Sequence, residues 1–237
     1  GGKEDPYVCI LAALAAYTVK GTVRICNERK DSFLAHPKRH PAELKLRLGA
    51  KKDGTLTALD AHVLMDTGAF ASYGPAVGGL LTETVGGSYK IPNMRVQTSL
   101  VYTNSPPSGA MRGFGAPQSN YAIESMLDML AASLELDPLG IRQKNILRKG
   151  DPVFTHVVMN ESADSLPLIL DQFAEIRHRY SGIPAKPGKL RGVGFACAAQ
   201  TMGLGAKVPD FSSHRLTWQP DGTILLNLGA PDLGQGL

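Results

Sequence analysis

Pro106-Pro107-Ser108-Gly109-Ala110-Met111-Arg112-Gly113-Phe114-Gly115-Ala116-Pro117-Gln118 crowds three prolines and three glycines together, which rules out regular structure across it. Before it, Met94 to Tyr102 reads as a strand entered from a turn at Pro92-Asn93. After it, a helix is expected from about Gln118 to Leu136, with Ile123, Met126, Leu127, Leu130 and Leu134 on one face. The stretch is therefore a loop between a strand and a helix. Gly113 and Gly115 flank Phe114, permitting positive φ and a close approach of backbone to a bulky ligand. The helix that follows turns its first amides back toward the loop, as anion sites do. Arg112 offers a planar fork of donors to an oxygen-rich anion, and Phe114 a ring face to a flat substrate. A plainer reading has Arg112 paired with a surface carboxylate and Phe114 filling core. The loop lacks the Gly-Lys-Ser/Thr of a Walker motif and the third glycine of a dinucleotide fingerprint.

Working outward, Glu43 to Leu48 alternates polar and apolar residues with period two. Lys52-Asp53-Gly54-Thr55 is a turn signal, and Leu56 to Met65 completes a hairpin. Asp137-Pro138 should cap a second helix running through Leu147. Ser165 to Tyr180 reads as a surface helix. Toward the N-terminus, Asp5-Pro6 opens a helix over Tyr7 to Tyr17 that is apolar nearly all round and is expected to be buried, with Gly21 stopping it. Val23 to Cys26 reads as a strand and Lys30 to Pro41 as a loop. Toward the C-terminus, Gly192 to Ala199 reads as a strand. His214 to Trp218 and Ile224 to Leu228 form a hairpin across Asp221-Gly222. Hairpins and helices without βαβ alternation indicate an α+β fold, mixed or antiparallel sheets packed against helices. Residues 1–237 are expected to be one piece of a longer region, with a possible subdivision into 1–180 and 190–237 across the Pro/Gly-rich 181–189.

Composition is that of an ordinary globular chain of 237 residues: 43% hydrophobic, 19% charged, net charge +4. No apolar run approaches the ~18–20 residues of a membrane-spanning helix. Basic residues form no stripe with interleaved aromatics, so nucleic acid is not an expected partner. Cys9, Cys26 and Cys197 are sparse and have no CxxC spacing, which suits a reducing compartment. His36 and His40 are the one close histidine pair, without a third ligand nearby.

Four stretches in order resemble the xanthine dehydrogenase/aldehyde oxidase family, in its molybdenum-binding large subunit. Ala110 to Gln118 resembles that family's molybdopterin-contacting loop. Gly1-Gly2-Lys3-Glu4 resembles the end of its Gly-rich turn, Tyr89-Lys90-Ile91-Pro92-Asn93 its strand entry, and Asp232-Leu233-Gly234-Gln235-Gly236 its second cofactor loop. Asp137-Pro138-Leu139 and Arg142 with Asn145 also fit. The resemblance spans nearly the whole chain and implies the N-terminal part of the molybdopterin-binding region.

What the resemblance implies is a molybdenum–molybdopterin cofactor held through the pterin's dithiolene, with no direct protein ligand to the metal. Cofactor contacts fall to Gly1, Gly2, Ala110, Met111, Arg112, Gly113, Gly234, Gln235 and Gly236, with Arg112 near the molybdenum. Substrate contacts fall to Glu4 and Phe114. Met111 stands where the family usually has an aromatic. Leu80, nine residues before Tyr89, stands where purine oxidisers carry an arginine, which argues against xanthine. Ala206 and Lys207 fall loosely where a second aromatic and a threonine would lie. The implied reaction is oxidative hydroxylation of a carbon centre, in an aldehyde or an N-heterocycle such as a purine, with water as oxygen source. Its general-base glutamate lies downstream of Leu237 in the family, so no catalytic residue is assigned here. Glu4, Glu83 and Glu124 are not given that role, and Glu124 is expected to be solvated. Implied partners are the C-terminal half of the molybdenum subunit, iron–sulfur and FAD domains or subunits, and a small-molecule substrate, in the cytoplasm. The piece alone is expected to be inactive. Two alternatives stay open: a non-catalytic scaffold of the same fold without cofactor, and a generic anion- or nucleotide-binding domain using the Arg112 loop.

Overall fold

The alternation at 43–48 becomes β1 (Ala42–Ala50), which turns back into β2 (Leu56–Gly68) in antiparallel register, Leu44 opposite Val63 and Leu48 opposite Leu59. At the turn Gly54 takes φ +83°, and the Asp53 carboxylate accepts from the amide and hydroxyl of Thr55 at 3.0 Å each. These observations, like all below, come from a computed structural model that describes residues 7–201, 203, 209, 211–230, 232–234 and 236.

β3 (Asn93–Tyr102) joins the other edge of β2 in parallel, so the three-stranded sheet runs β1-β2-β3. Parallel strands need a crossover. A helix supplies it, α3 (Gly74–Thr84), buried through Val77, Gly78 and Leu81. Sequence patterning assigns no element to this stretch, because its glycines weaken helix propensity. Those glycines serve contact instead: a Cβ on Gly78 would sit 3.1 Å from Leu100 Cδ1. On the outer face, Arg47, Asp60 and Arg95 align across the three strands, and Arg95 grips Asp60 with two bonds of 2.8 Å.

The amphipathic pattern after the loop becomes α4 (Ala116–Ser133), which buries Ile123 and Leu127 against Leu59, Ala61 and Tyr89. α5 (Pro138–Asn145) starts where Asp137 accepts from the Gly140 amide. Inside it, Asn145 clamps the hairpin: its amide group donates to the Gly54 carbonyl at 2.9 Å, and its oxygen accepts from the Leu56 amide at 2.9 Å. A short 3₁₀ turn (Glu161–Asp164) leads into α6 (Ser165–Ser181). The C-terminal hairpin forms as β4 (His214–Trp218) and β5 (Ile224–Leu228). The α+β class holds, with one mixed and one antiparallel sheet among the described residues.

Several expectations are corrected. α1 (Tyr7–Val19) forms, but none of its residues is buried; Tyr17 is 82% exposed. Residues 23–26 take no strand pairing. The expected loop at 30–41 opens with a helix, α2 (Arg29–Ala35), whose Asp31 carboxylate accepts from the Glu28 amide at 3.2 Å. Residues 192–199 form no strand, because the partner they find is a side chain. The Asn120 amide group donates to the Ala199 carbonyl and accepts from the Ala199 amide, both at 2.8 Å.

Glu124 is the sharpest correction. It is only 6% exposed and fully engaged: one carboxylate oxygen accepts from Arg142 Nε at 2.8 Å, and the other accepts from the buried Tyr89 hydroxyl. Burial, then the Glu124 bond, pushes the Tyr89 hydroxyl far above its ordinary range. Arg142, 0% exposed, also reaches Asp128 at 2.8 Å and lies over the Phe195 ring. A helix-face count misses this, since the side chain that neutralises Glu124 arrives from α5.

Candidate functional site

The loop between β3 and α4 owes its shape to three consecutive residues of positive φ: Gly113 (+92°), Phe114 (+47°) and Gly115 (+103°). Such a run of left-handed residues curls the chain into a concave turn. Bonds from Phe114 N to Met111 O (2.8 Å) and from Ala116 N to Gly113 O (2.9 Å) close it. Gly115 is required by contact as well as by φ, because a Cβ there would sit 2.5 Å from the Val77 carbonyl oxygen of α3. The loop therefore rests directly on the crossover helix.

Phe114 carries a non-glycine residue through this bend and is held by packing. Its ring is half-buried against Val63, Met65, Val77 and Leu81, and meets Tyr73 edge-on with centroids 6.2 Å apart. Arg112 is exposed, and among the described residues it makes no ion pair with any carboxylate. Met111, Ala110 and Gly113 are each half-buried beside it.

The second loop comes to the first. Gly234 (φ +102°) lies so near that a Cβ on it would stand 3.2 Å from Arg112 Nη1. Asp232 shapes that turn by accepting from the Gly234 amide at 2.6 Å and from the Gly236 amide at 3.4 Å. More than a hundred residues apart in sequence, the two glycine turns thus meet at one guanidinium. A Cβ on Gly236 (φ +80°) would meet nothing within 4 Å among the described residues. Gly1, Gly2, Glu4, Ala206, Lys207 and Gln235 lie outside the described residues.

One set of supporting residues escapes a reading of the sequence. Lys38-Arg39-His40, between Pro37 and Pro41, runs extended beside the loop. Lys38 bridges Ser108, its carbonyl accepts from the Gly109 amide at 2.9 Å, and Arg39 Nη2 donates to the Arg112 carbonyl at 2.7 Å. The two prolines are the available signal, since a residue before proline is biased to extended backbone. Next to the loop opens a cleft of about 390 Å³ lined by Phe70, Ser72, Pro107, Ser108 and Gly109. Among the described residues no group of three or more His, Cys, Asp or Glu could hold a metal ion.

Residues 1–146 match the family described as Molybdopterin cofactor-binding domain. The chain belongs to this family. Across its whole length it is 34% identical to a probable xanthine dehydrogenase subunit of Bacillus subtilis, covering 32% of that protein. Over 68% of its length it is 42% identical to the nicotinate dehydrogenase large molybdopterin subunit of Eubacterium barkeri, covering 38% of it. The crystal structure of the aldehyde oxidoreductase from Desulfovibrio desulfuricans superimposes with a TM-score of 0.79 at 26% identity, over 94% of this chain and 24% of that one. The chain therefore spans about a third of the length of the curated relatives it matches.

The residues present suit an anionic, oxygen-bearing cofactor. Two buried polar atoms flank the loop without a hydrogen-bond partner among the described residues: the donor Arg39 Nη1 and the acceptor Gln118 Oε1. Buried polar atoms are ordinarily paired, so a complementary donor–acceptor pair left open here fits a ligand that brings both. The glycines leave room for it, and Arg112 brings a charge that no carboxylate among the described residues compensates.

Proposed function

We propose that this chain is the cofactor-binding first part of a molybdenum hydroxylase large subunit. The observation that carries the reading is the meeting of Gly234 with Arg112. It joins two loops, each of which resembles a cofactor loop, around a guanidinium that no carboxylate among the described residues neutralises. When bound, the molybdenum–pterin group supplies the redox chemistry for hydroxylating a carbon centre with water as oxygen source.

The chain's own contribution is to bind and orient. Arg112 attracts anionic oxygen, Gly113 and Gly234 let main chain approach, and the Phe114 bend fixed on α3 keeps the loop from rearranging. Ala110, Met111, Gly1, Gly2, Gln235 and Gly236 complete the contacts. Glu4 and Phe114 face the substrate. The substrate is an aldehyde or an N-heterocycle. Leu80, half-buried on α3, brings no charge to anchor xanthine. Remaining parts of the reaction, including the general base, belong to the C-terminal half of the subunit, and electrons leave through iron–sulfur and FAD partners. The piece alone is inactive. A cytoplasmic setting suits the three free cysteines. Among the described residues no helix is long and apolar enough to cross a membrane.

The test is Arg112→Ala in the full-length subunit purified with its partners. Molybdenum content and turnover should both fall sharply, because a buried anion loses a charge-assisted partner. Unchanged metal content together with an unchanged rate would refute the reading.

A further inference from the structure

The extended tripeptide Lys38-Arg39-His40 does more than line the loop. It stitches both sides of the tip: Lys38 holds Ser108 and Gly109 before it, and the His40 carbonyl accepts from Gln118 Nε2 at 3.1 Å after it. Arg39, between them, holds the tip itself through the 2.7 Å bond from Nη2 to the Arg112 carbonyl. Its other terminal nitrogen, Nη1, is buried and has no acceptor among the described residues, and no carboxylate there pairs with the side chain.

A guanidinium cannot discharge by losing its proton. An unmet charged N–H in a buried place is costly, so the geometry calls for an oxygen acceptor from outside the chain. Resting on the cofactor reading above, we propose that Arg39 is a cofactor-binding residue. Its Nη1 donates to an anionic or carbonyl oxygen of the bound cofactor while Nη2 fixes the Arg112 carbonyl. One planar fork thereby ties the ligand to the loop that encloses it. Gln118 Oε1, likewise buried and open, stands ready to accept an N–H of the same ligand. Lysine cannot replace this arrangement, because one ammonium on a flexible stem lacks the fork's fixed spacing.

The experiment uses the full-length enzyme with its partners, as wild type, Arg39→Lys and Arg39→Gln. Molybdenum per chain is measured by mass spectrometry, the rate of pterin release by fluorescence of the oxidised pterin, and the unfolding midpoint on cofactor-stripped protein. Both variants should release pterin about tenfold faster or more, the loss of roughly one charge-assisted bond. Stripped Arg39→Lys should unfold at the wild-type midpoint. Wild-type content and release in both variants would overturn the role of Arg39 and leave the cofactor reading standing. Faster release matched by an equal loss of stability in both stripped variants would also overturn it, reducing Arg39 to a structural tie. Wild-type protein free of molybdenum and pterin would remove the cofactor reading itself.

Discussion

Gly115 concentrates the logic of the site at the scale of one residue. Its φ of +103° and the Val77 carbonyl 2.5 Å from a virtual Cβ make any side chain there a double fault. Gly115→Ala should therefore cost about 1–3 kcal/mol in backbone strain, with a further penalty as α4 is pushed off α3. A urea titration of the variant should show it; wild-type stability would mean that the loop does not rest on α3. Glu124 makes the opposite point, a charge hidden where the sequence pattern suggested solvent. Glu124→Leu strands a fully buried guanidinium, and such a loss costs about 3–5 kcal/mol. Asp128, 57% exposed, can replace it only in part. Removing Arg142 as well should recover much of the loss, which a double-mutant cycle reads directly.

Among the elements, those with a strong local signal were legible from sequence: the β1–β2 hairpin, β3, α4, α5 with its cap, α6 and the β4–β5 ribbon. Asp137 shows why. Its carboxylate caps α5 by local geometry that any Asp-Pro start would give. Asp137→Ala should lose about 1 kcal/mol, read by thermal unfolding. The exposed bond to Arg177 on α6 adds little. What sequence did not show depends on distant partners. α3 is stabilised by close contact through glycine, the 192–199 segment by the Asn120 side chain, and α2 by a single short cap. α1 has helix-forming residues but no face to bury among the described residues. At the site, the bend with Arg112 and Phe114 stood out because glycine and arginine at a Pro-rich bend are locally unusual, whereas the 232–236 stretch was singled out only by its resemblance to a family loop. Arg39 was not, because its role exists only once a loop 73 residues away folds beside it.

For the whole molecule, carboxylates set the acid limit. The Arg95 fork holds the Asp60 carboxyl below its usual range. At Asp151 burial pulls the carboxyl up, but the Lys90 bond, the Arg148 amide and both cations together hold it below its usual range. A depressed folded pKa means that the unfolded chain takes up protons first as pH falls, so stability is complete above about pH 4 and declines as pH drops through the folded values. Unfolding midpoints should fall below about pH 4, and Asp151→Asn should flatten that slope; an unchanged slope would contradict it. Apolar side chains are exposed along α1 and on β4–β5, where Trp218 is 73% exposed and Leu228 62% exposed, and clustered exposed apolar side chains mark contact surfaces. The chain spans about a third of its relatives, and in isolation it should bind an apolar dye such as ANS; no binding would mean that these faces are covered. The proposed function requires that the turns at 110–115 and 232–236 converge to hold one cofactor. Crystals of the full-length protein measured at the molybdenum absorption edge test it most directly. An anomalous peak is expected beside the Arg112–Gly113 bend and Gly234; a peak remote from both turns, or none in fully active crystals, would rule the shared site out.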